Sequence, residues 1–565
     1  MLKKGSVESV VEFYPAKERW PETPIKAPFP RATPESQGVA SEFLESFLRE
    51  FVSDKAINGH GLLVLRHGKV ILESHVFPRR PEIWNVTHSL CKSITGMAIG
   101  ILEQEGLIST DEHLVDIFPD YVGRINRPRL KEVTVHHLLT MTSGIVFNEA
   151  GAITEENWIA AFMESGFHFE PGTEFHYNSM NSYMLSAIVQ RKTGQTLKEY
   201  LEPRLFAPLG IGPISWECCP AGIVKGGWGM YLRMEDMAKL GQLILQRGSW
   251  EGRQLIPEAW ITKMTSYQVY TPEDISLWGY GYHGWIGSRP GSFIFNGLFG
   301  QNVYVFPDAD MVIVTTAGSH DFFDNGRVGH LVRHFFGNDY QPAEALTENP
   351  EALTRLQELT EMLQSPPDVR HRRKRDALCR SLSGKMYQIA DSRAGLLPLV
   401  VQAMNNNFCK SIQELGFLWY KKQFYLILRE GDEMRRIKLG LDTAAEQNLD
   451  IKGESYLLAA WAEYAEDEDD TPVLKIHLQF PELSNDREIK VFVLNDEQIR
   501  VRLREFPGMD MIQACMSMVL DAGEKSRLVK MISERADSEL VDLALKLLIE
   551  PEYRGTKIRE FLMEE

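Results

Sequence analysis

The chain has 565 residues, 44% hydrophobic and 25% charged, which is the balance of a soluble globular protein and too much chain for one ordinary core. A formal net charge of −17 repels phosphate backbones and anionic lipid heads, and argues against nucleic acid or a membrane surface as the main partner. Six cysteines are too few for a disulfide scaffold at this length.

The opening Met1-Leu2-Lys3-Lys4 leads into no apolar h-region, because Glu8, Glu12 and Glu18 interrupt every candidate. No run of about 18 apolar residues occurs that would make a membrane helix. Adjacent Cys218 and Cys219 lack the spacing of a metal site and read as small buried hydrophobes. These features predict a reduced, cytoplasmic protein with no metal or cofactor.

Along the chain, Pro15, Pro21, Pro24, Pro28, Pro30 and Pro34 predict an extended arm over residues 1–34. Phe43, Phe47 and Phe51, spaced by four, predict a helix at 41–52. Residues 61–72 read as two apolar strands around a His67-Gly68 turn. Leu90, Ile94, Met97, Ile101 and Leu102 place a helix over 89–106, with Gly106 as its stop. Further helices are expected at 134–141, 156–164, 181–193, 197–206 and 235–247. Then 292–295, 302–306 and 311–316 read as consecutive antiparallel strands, the last two joined by a turn at 307–310. Strands therefore open and close the region 35–338, and helices fill its middle. That is an α+β layout in which both ends share one sheet.

Residues 339–380 are expected as a helical linker. They hold an amphipathic helix at 350–364, Pro366-Pro367, and the basic run 370–375, read as solvated rather than as a nucleic-acid patch. From 381 to about 515, short alternating stretches such as Gln423–Leu428 and Ile489–Leu494 predict an antiparallel β domain, barrel or sandwich. The last stretch, from about 521 to 565, reads as helical, so that a β-rich domain over 381–565 ends in helix.

Three blocks carry chemistry. In Ser89-Leu90-Cys91-Lys92 the serine stands where a helix begins, so free N–H groups and the helix dipole favour a developing negative charge. Residues i and i+3 share a helix face, so Lys92 can reach the Ser89 hydroxyl. A serine needs a base beside it, and a desolvated lysine is one. Tyr177-Asn178-Ser179 follows the turn Glu170-Pro171-Gly172. A phenol between Lys92 and Ser89 can relay protons, although an aromatic packed under the next helix fits the same pattern. In Phe295-Asn296-Gly297-Leu298-Phe299-Gly300-Gln301 the glycines allow close approach of a backbone or a substrate. A backbone N–H there, with that of Ser89, would form an oxyanion hole; a bulged strand is the alternative.

In this order the three blocks resemble the serine β-lactamase and D,D-peptidase family, whose signature is Ser-x-x-Lys, then Ser-Asp-Asn, then Lys-Thr-Gly. The closer resemblance is to the branch holding class C β-lactamases, D-aminopeptidases, family VIII carboxylesterases and 6-aminohexanoate-dimer hydrolases, where the middle block typically reads Tyr-x-Asn. Gly100–Gly106, Leu138–Gly144, Pro171-Gly172 and Pro208-Leu209-Gly210 resemble its connecting segments, so the likeness spans roughly residues 35–335. It implies a β-lactamase/transpeptidase-like fold, an antiparallel sheet flanked by helices plus a helical subdomain. The β-barrel-like C-terminal domain resembles the lipocalin-like appendage often joined to such hydrolases.

Carried over, the resemblance makes Ser89 the acylated nucleophile, Lys92 its activating partner and Tyr177 the proton donor to the leaving group. The N–H groups of Ser89 and Leu298 become the oxyanion hole, and Ser179, Phe295, Asn296 and Gly297 the substrate-binding set. The sequence departs from the pattern at Ser179, where Asn is usual, and at Phe295, where Lys or His is usual. The second change removes a cation for a substrate carboxylate, so small esters or amides are expected ahead of β-lactams and D-Ala peptides. The partner implied is a small molecule. A D-aminopeptidase, a weak β-lactamase and a non-catalytic binding or regulatory protein are the alternatives. Specificity is expected in loops 145–170 and 210–230.

Three other patterns read as structural. Gly279-Tyr280-Gly281-Tyr282-His283-Gly284 matches a dinucleotide fingerprint in letters only, and its alternating aromatics predict a twisted strand. Glu466–Asp470 reads as an acidic turn without the glycine and distal glutamate of a calcium loop. His136-His137 reads as a helix-start pair, one buried and one exposed.

Overall fold

The computed structural model describes residues 2–3, 6–7, 15–122, 128–152, 155–273, 278–320, 326–367, 370–508 and 550–560. The chain divides into two compact units, Ala16–Gln364 and Ser365–Glu565 with Met1–Pro15.

In the first unit, helix α1 (Ser41–Ser53) buries Leu44, Phe47, Leu48 and Phe51 along one face. Strands β1 (Gly59–Arg66) and β2 (Lys69–His75) form the expected hairpin. Its turn residues His67 and Gly68 both have positive φ, at 50° and 68°, the geometry that matches strand twist in a two-residue hairpin loop. Among the helices that follow are α2 (Cys91–Gln104), α3 (Val135–Leu139), α4 (Trp158–Glu164), α5 (Ser179–Thr193), α6 (Leu197–Leu201), α7 (Met234–Leu245) and α8 (Glu258–Met264). Strands β3 (Trp285–Ile286), β4 (Phe293–Gly297), β5 (Gln301–Phe306) and β6 (Met311–Ala317) come next, then α9 (Arg327–Phe336) and α10 (Pro350–Gln364).

The sheet runs β3-β4-β5-β6-β1-β2 and is antiparallel throughout. Thus the N-terminal hairpin lies beside the last strand, with Ile313 opposite Val64. Val64, Ile294, Tyr304 and Ile313 share one core with Phe47 of α1 and Leu356 of α10. On the opposite face α7 comes so close that a Cβ on Gly241 would stand 2.7 Å from Val303 and Val312. Helices therefore cover both faces of the sheet.

Two expectations for this unit are corrected. The 339–380 stretch is not one linker: α10 packs its Leu356 and Leu359 into the first unit's core, and the division between units falls after Gln364. Residues 279–284 are not a strand, because Gly279 (φ +91°) and His283 (φ +57°) bend the backbone before β3 begins. The arm past residue 15 is extended and fixed by buried groups of α7 and its flank. Arg233 donates to the carbonyls of Thr23 and Pro24, and Lys239 to that of Lys26.

The second unit opens with helix α11 (Arg372–Leu382) and strand β7 (Lys385–Ile389), then helix α12 (Leu399–Asn405). Strands β8 (Ile412–Tyr420), β9 (Gln423–Glu430), β10 (Glu433–Leu439), β11 (Ala445–Ile451), β12 (Glu454–Glu466), β13 (Pro472–Gln479), β14 (Asp486–Val493), β15 (Gln498–Phe506) and β16 (Glu552–Glu560) complete it. Ten strands form one antiparallel sheet in the order β10-β9-β8-β7-β16-β15-β14-β13-β12-β11. It nearly closes into a barrel: Gly440, just after β10, donates to Ala460 and accepts from Ala462 of β12.

Of the basic run, 370–374 are exposed, as expected of a solvated stretch, and 372–375 open α11, whose Leu378, Cys379 and Leu382 make a buried face; Arg375 beside them is 2% exposed, donating to the Leu441 carbonyl and to Asp376. The helix expected at the C-terminus falls mostly on 509–549, outside the described residues. Within it, 552–560 is a strand instead, lying between β7 and β15. Glu466–Asp470 does turn between β12 and β13, with the Asp467 carboxylate accepting from the N–H groups of Asp469 and Thr471.

Candidate active site

Ser89 sits in a tight 3-10 turn, His88–Leu90, that runs directly into α2. It is half-buried, whereas Thr87, His88, Leu90 and Cys91 are buried, so Ser89 is the residue of this turn that meets solvent. The turn is held from behind. The Thr87 N–H and hydroxyl both donate to the Met230 carbonyl, at 2.8 and 3.0 Å. His88 has φ +48° and packs its ring edge-on against Phe299 at 5.0 Å.

Lys92 is the second residue of α2, and its Nζ donates to Ser89 Oγ at 2.8 Å and to the Gly227 carbonyl at 2.7 Å. The side chain is 2% exposed. Burial disfavours the ammonium and brings the Lys92 pKa down to about 8, against a smaller upward pull from Cys91 and Glu149. Its neighbours do not titrate near neutrality. Burial pushes the Cys91 thiol up to about 12 and holds His88 and His283 down at about 3. His283 is structural: it accepts from or donates to Ser182 at 2.8 Å, and its ring meets the Leu139 carbonyl at 3.0 Å.

Tyr177 approaches from the other side. Its ring stacks on Trp285 with centroids 5.6 Å apart, and Lys92 Nζ stands 5.0 Å from the Tyr177 ring centre. Its hydroxyl hydrogen-bonds to Ser89, and burial raises the phenol well above its ordinary value, so it stays protonated. The next residue explains why the loop holds this shape. Asn178 caps α5 by accepting from the Met180 N–H at 2.9 Å, and its amide donates to the carbonyls of Ile145 and Phe147 at 3.0 and 2.9 Å.

The third block reaches the site through backbone. A Cβ on Gly297 would stand 2.3 Å from the Thr87 carbonyl, so only glycine lets the end of β4 lie against the turn that carries Ser89. Leu298 follows and is half-exposed. Asn296 is spent across the sheet, donating to Asn302 at 2.7 Å. Phe295 is 0% exposed and packs edge-on against Phe293. Expected against substrate, it presents no exposed surface. Ser179 is the buried first residue of α5, and its hydroxyl has no partner among the described residues.

Two members of the site escaped the sequence reading. Gly227 supplies the carbonyl for Lys92, in a loop where Gly226 takes φ +67° and its carbonyl accepts from Thr95 at 2.6 Å. Three nearby glycines, at 226, 227 and 229, were the available signal. Glu149 accepts from the Ser179 N–H at 2.9 Å, and its charge acts on both Lys92 and Tyr177. Nothing but its place in loop 145–170 pointed to it.

His136 and His137 are both half-buried, not one in and one out. His137 is tied up in the cap of α3 with Thr134, and His136 bonds to the Tyr282 hydroxyl at 2.9 Å. Among the described residues no group of three His, Cys, Asp or Glu could hold a metal ion. There the cysteines are free thiols, Cys219 buried and Cys218 half-buried, and no helix is long and apolar enough to cross a membrane.

The fold of the first unit agrees with comparison to known proteins. The family model described as Beta-lactamase matches residues 44–327. The chain belongs to the beta-lactamase family. Within that family it is 27% identical over 303 residues to 6-aminohexanoate-dimer hydrolase of Paenarthrobacter ureafaciens, covering 48% of this chain and 74% of that protein. It is 28% identical over 202 residues to Protein flp of Staphylococcus aureus, covering 33% of this chain and 40% of that relative. A solved family VIII carboxylesterase superposes with a TM-score of 0.43 at 16% identity, over 54% of this chain and 97% of that one. The beta-lactamase fold of serine hydrolases, with its antiparallel sheet between helices, is thus the frame of the first unit.

Proposed function

We propose that the chain is a serine hydrolase that cleaves an ester or amide bond of a small substrate through an acyl-enzyme on Ser89. The observation that carries this reading is the 2.8 Å contact between buried Lys92 and the hydroxyl of half-buried Ser89. A lysine with its pKa near 8 is partly neutral at physiological pH and can take the serine proton.

In this mechanism Ser89 Oγ attacks the carbonyl carbon while its proton passes to Lys92. The N–H groups of Ser89 and Leu298 receive the oxyanion. Protonated Tyr177, hydrogen-bonded to Ser89, delivers a proton to the departing oxygen or nitrogen and recovers one from Lys92. Water then attacks the acyl-enzyme by the reverse relay. No Lys or His stands at position 295 to meet a substrate carboxylate, which favours substrates without one.

Hydrolysis of p-nitrophenyl esters, acetate through octanoate, tests this reading. Wild type is expected to turn them over and Ser89→Ala to fall to background. Equal rates in both proteins would remove Ser89 as the nucleophile.

A further inference from the structure

Lys92 Nζ donates to one group that reacts, Ser89 Oγ, and to one that does not, the Gly227 carbonyl. That carbonyl lies on an excursion of the chain. The short strands Ser215–Trp216 and Met230–Leu232 pair antiparallel, with Trp216 opposite Met230. Between them the chain leaves and returns, and on its return residues 226–228 loop out toward α2 and α5. There the Gly226 carbonyl accepts from the Thr95 hydroxyl at 2.6 Å and the Gly227 carbonyl from Lys92 at 2.7 Å. The loop is wedged in place: a Cβ on Gly226 would stand 2.7 Å from the Ser182 carbonyl oxygen, and one on Gly227 3.0 Å from that of Ser179.

One residue closes this loop at both ends. The Glu217 N–H donates to the Gly229 carbonyl at 2.9 Å, and the Glu217 carbonyl accepts from the Lys225 N–H at 2.9 Å. Its side chain closes the loop a second time. Oε2 accepts from Lys225 Nζ at 2.6 Å, and Oε1 accepts from the Tyr231 hydroxyl at 3.3 Å. Gly229 makes room for it, because a Cβ there would stand 2.8 Å from Oε2. Both members of the pair are buried, Glu217 at 1% exposure and Lys225 at 6%. A buried ion pair adds little stability over apolar residues of similar volume, and what it can supply is one fixed geometry. The geometry fixed here is that of residues 226–228.

We propose that Glu217, paired with Lys225, is a positioning residue for the proposed base: it holds the Gly227 carbonyl on Lys92 Nζ and so keeps that amine turned to Ser89. This role rests on the hydrolase reading above. Glu217 acts through the backbone of the loop and touches no reacting atom. A carbonyl oxygen on Nζ favours the ammonium over the amine. Withdrawing it lowers the Lys92 pKa further and lets Nζ turn away from the serine. The ionisable groups that face Lys92 are Cys91 and Tyr177, held protonated, His88 and His283, held neutral, and Glu149. All of them lie outside the 217–229 excursion.

Two variants of the full chain test the role. Glu217→Gln breaks the pair and leaves the Lys225 charge buried. Glu217→Leu combined with Lys225→Met removes both charges at similar volume, so it is expected to fold even where the single variant does not. The double variant also separates the carbonyl from the charges, because opposite charges removed together change the field at Lys92 little. Fluorophosphonate labelling counts the formed sites, and kcat on a p-nitrophenyl ester is expressed per labelled site. In both variants kcat is expected to fall about 10–100-fold with KM within about twofold of wild type. The limb along which kcat/KM and the labelling rate rise with pH is expected to move down by about one pH unit. Wild-type kcat per site with an unmoved limb in the double variant would overturn the role and leave the pair purely structural. A limb that moves in Glu217→Gln but not in the double variant would overturn it too, by assigning the effect to the charge rather than the carbonyl. Failure of the hydrolase reading looks different: wild type is neither labelled at Ser89 nor active on any ester, or Ser89→Ala turns the ester over as wild type does.

Discussion

Lys92 is the residue whose protonation sets the rate in the proposed mechanism. Burial brings its pKa down to about 8, so the ammonium dominates below that pH and the neutral amine above it. The nucleophile's base is the neutral form, and kcat/KM is therefore expected to rise with pH along a limb of apparent pKa about 8. Among the described residues around Lys92, His88 and His283 titrate at about 3, the Cys91 thiol at about 12, and burial holds the Tyr177 phenol well above its ordinary value, so none of these supplies that limb. Lys92→Arg keeps a positive charge but places a group that does not deprotonate in proteins. It is expected to abolish the limb and lower kcat/KM by about 10²–10⁴-fold, the usual worth of a positioned base. A pH–rate profile of both proteins on one ester measures this, and an unshifted limb in Lys92→Arg would assign it to another group.

Helix α5 shows how an element positions a side chain it does not contain. Its cap, Asn178, bonds the Met180 N–H on one side and two loop carbonyls on the other, which fixes the backbone just after Tyr177. Asn178→Ala removes the cap and leaves two carbonyls short of a donor, at a cost of about 1–3 kcal/mol. Urea denaturation is expected to show that loss, with kcat falling more than KM rises, because Tyr177 loses its aim rather than the substrate its binding surface. The same element separates what was legible in the sequence from what was not. Helical spacing from Leu90 to Leu102, the His67-Gly68 turn and the strands around 293–317 were readable because each is a local period or a local turn. Glu149 meets Ser179, and Gly227 meets Lys92, across long stretches of chain, and spacing carries no information about such pairs. Phe295 was placed in the correct strand, but a period of two leaves the face to be decided by what packs there. Residues 370–375 read as linker on charge alone, although Leu378, Cys379 and Leu382 just beyond them make one helix with a buried side.

The two units each close a core of their own. The first wraps helices around a six-stranded sheet. The second lines its ten-stranded sheet with side chains such as Phe417, Phe424, Leu426 and Leu428, each 0% exposed. Phe417 and Phe424 stack with centroids 5.6 Å apart and planes 2° from parallel, inside the second unit, to which none of the residues assigned to chemistry belongs. Phe417→Ala opens a cavity there at a cost of about 3–5 kcal/mol. If stability is divided as the packing is, thermal unfolding of this variant is expected to show the second unit's transition shifted down by several degrees. The first unit's transition should stay in place, and ester turnover below both transitions should remain at the wild-type level. Calorimetry with a parallel activity assay distinguishes this from a single cooperative fold, in which one transition would move as a whole and turnover would disappear with it.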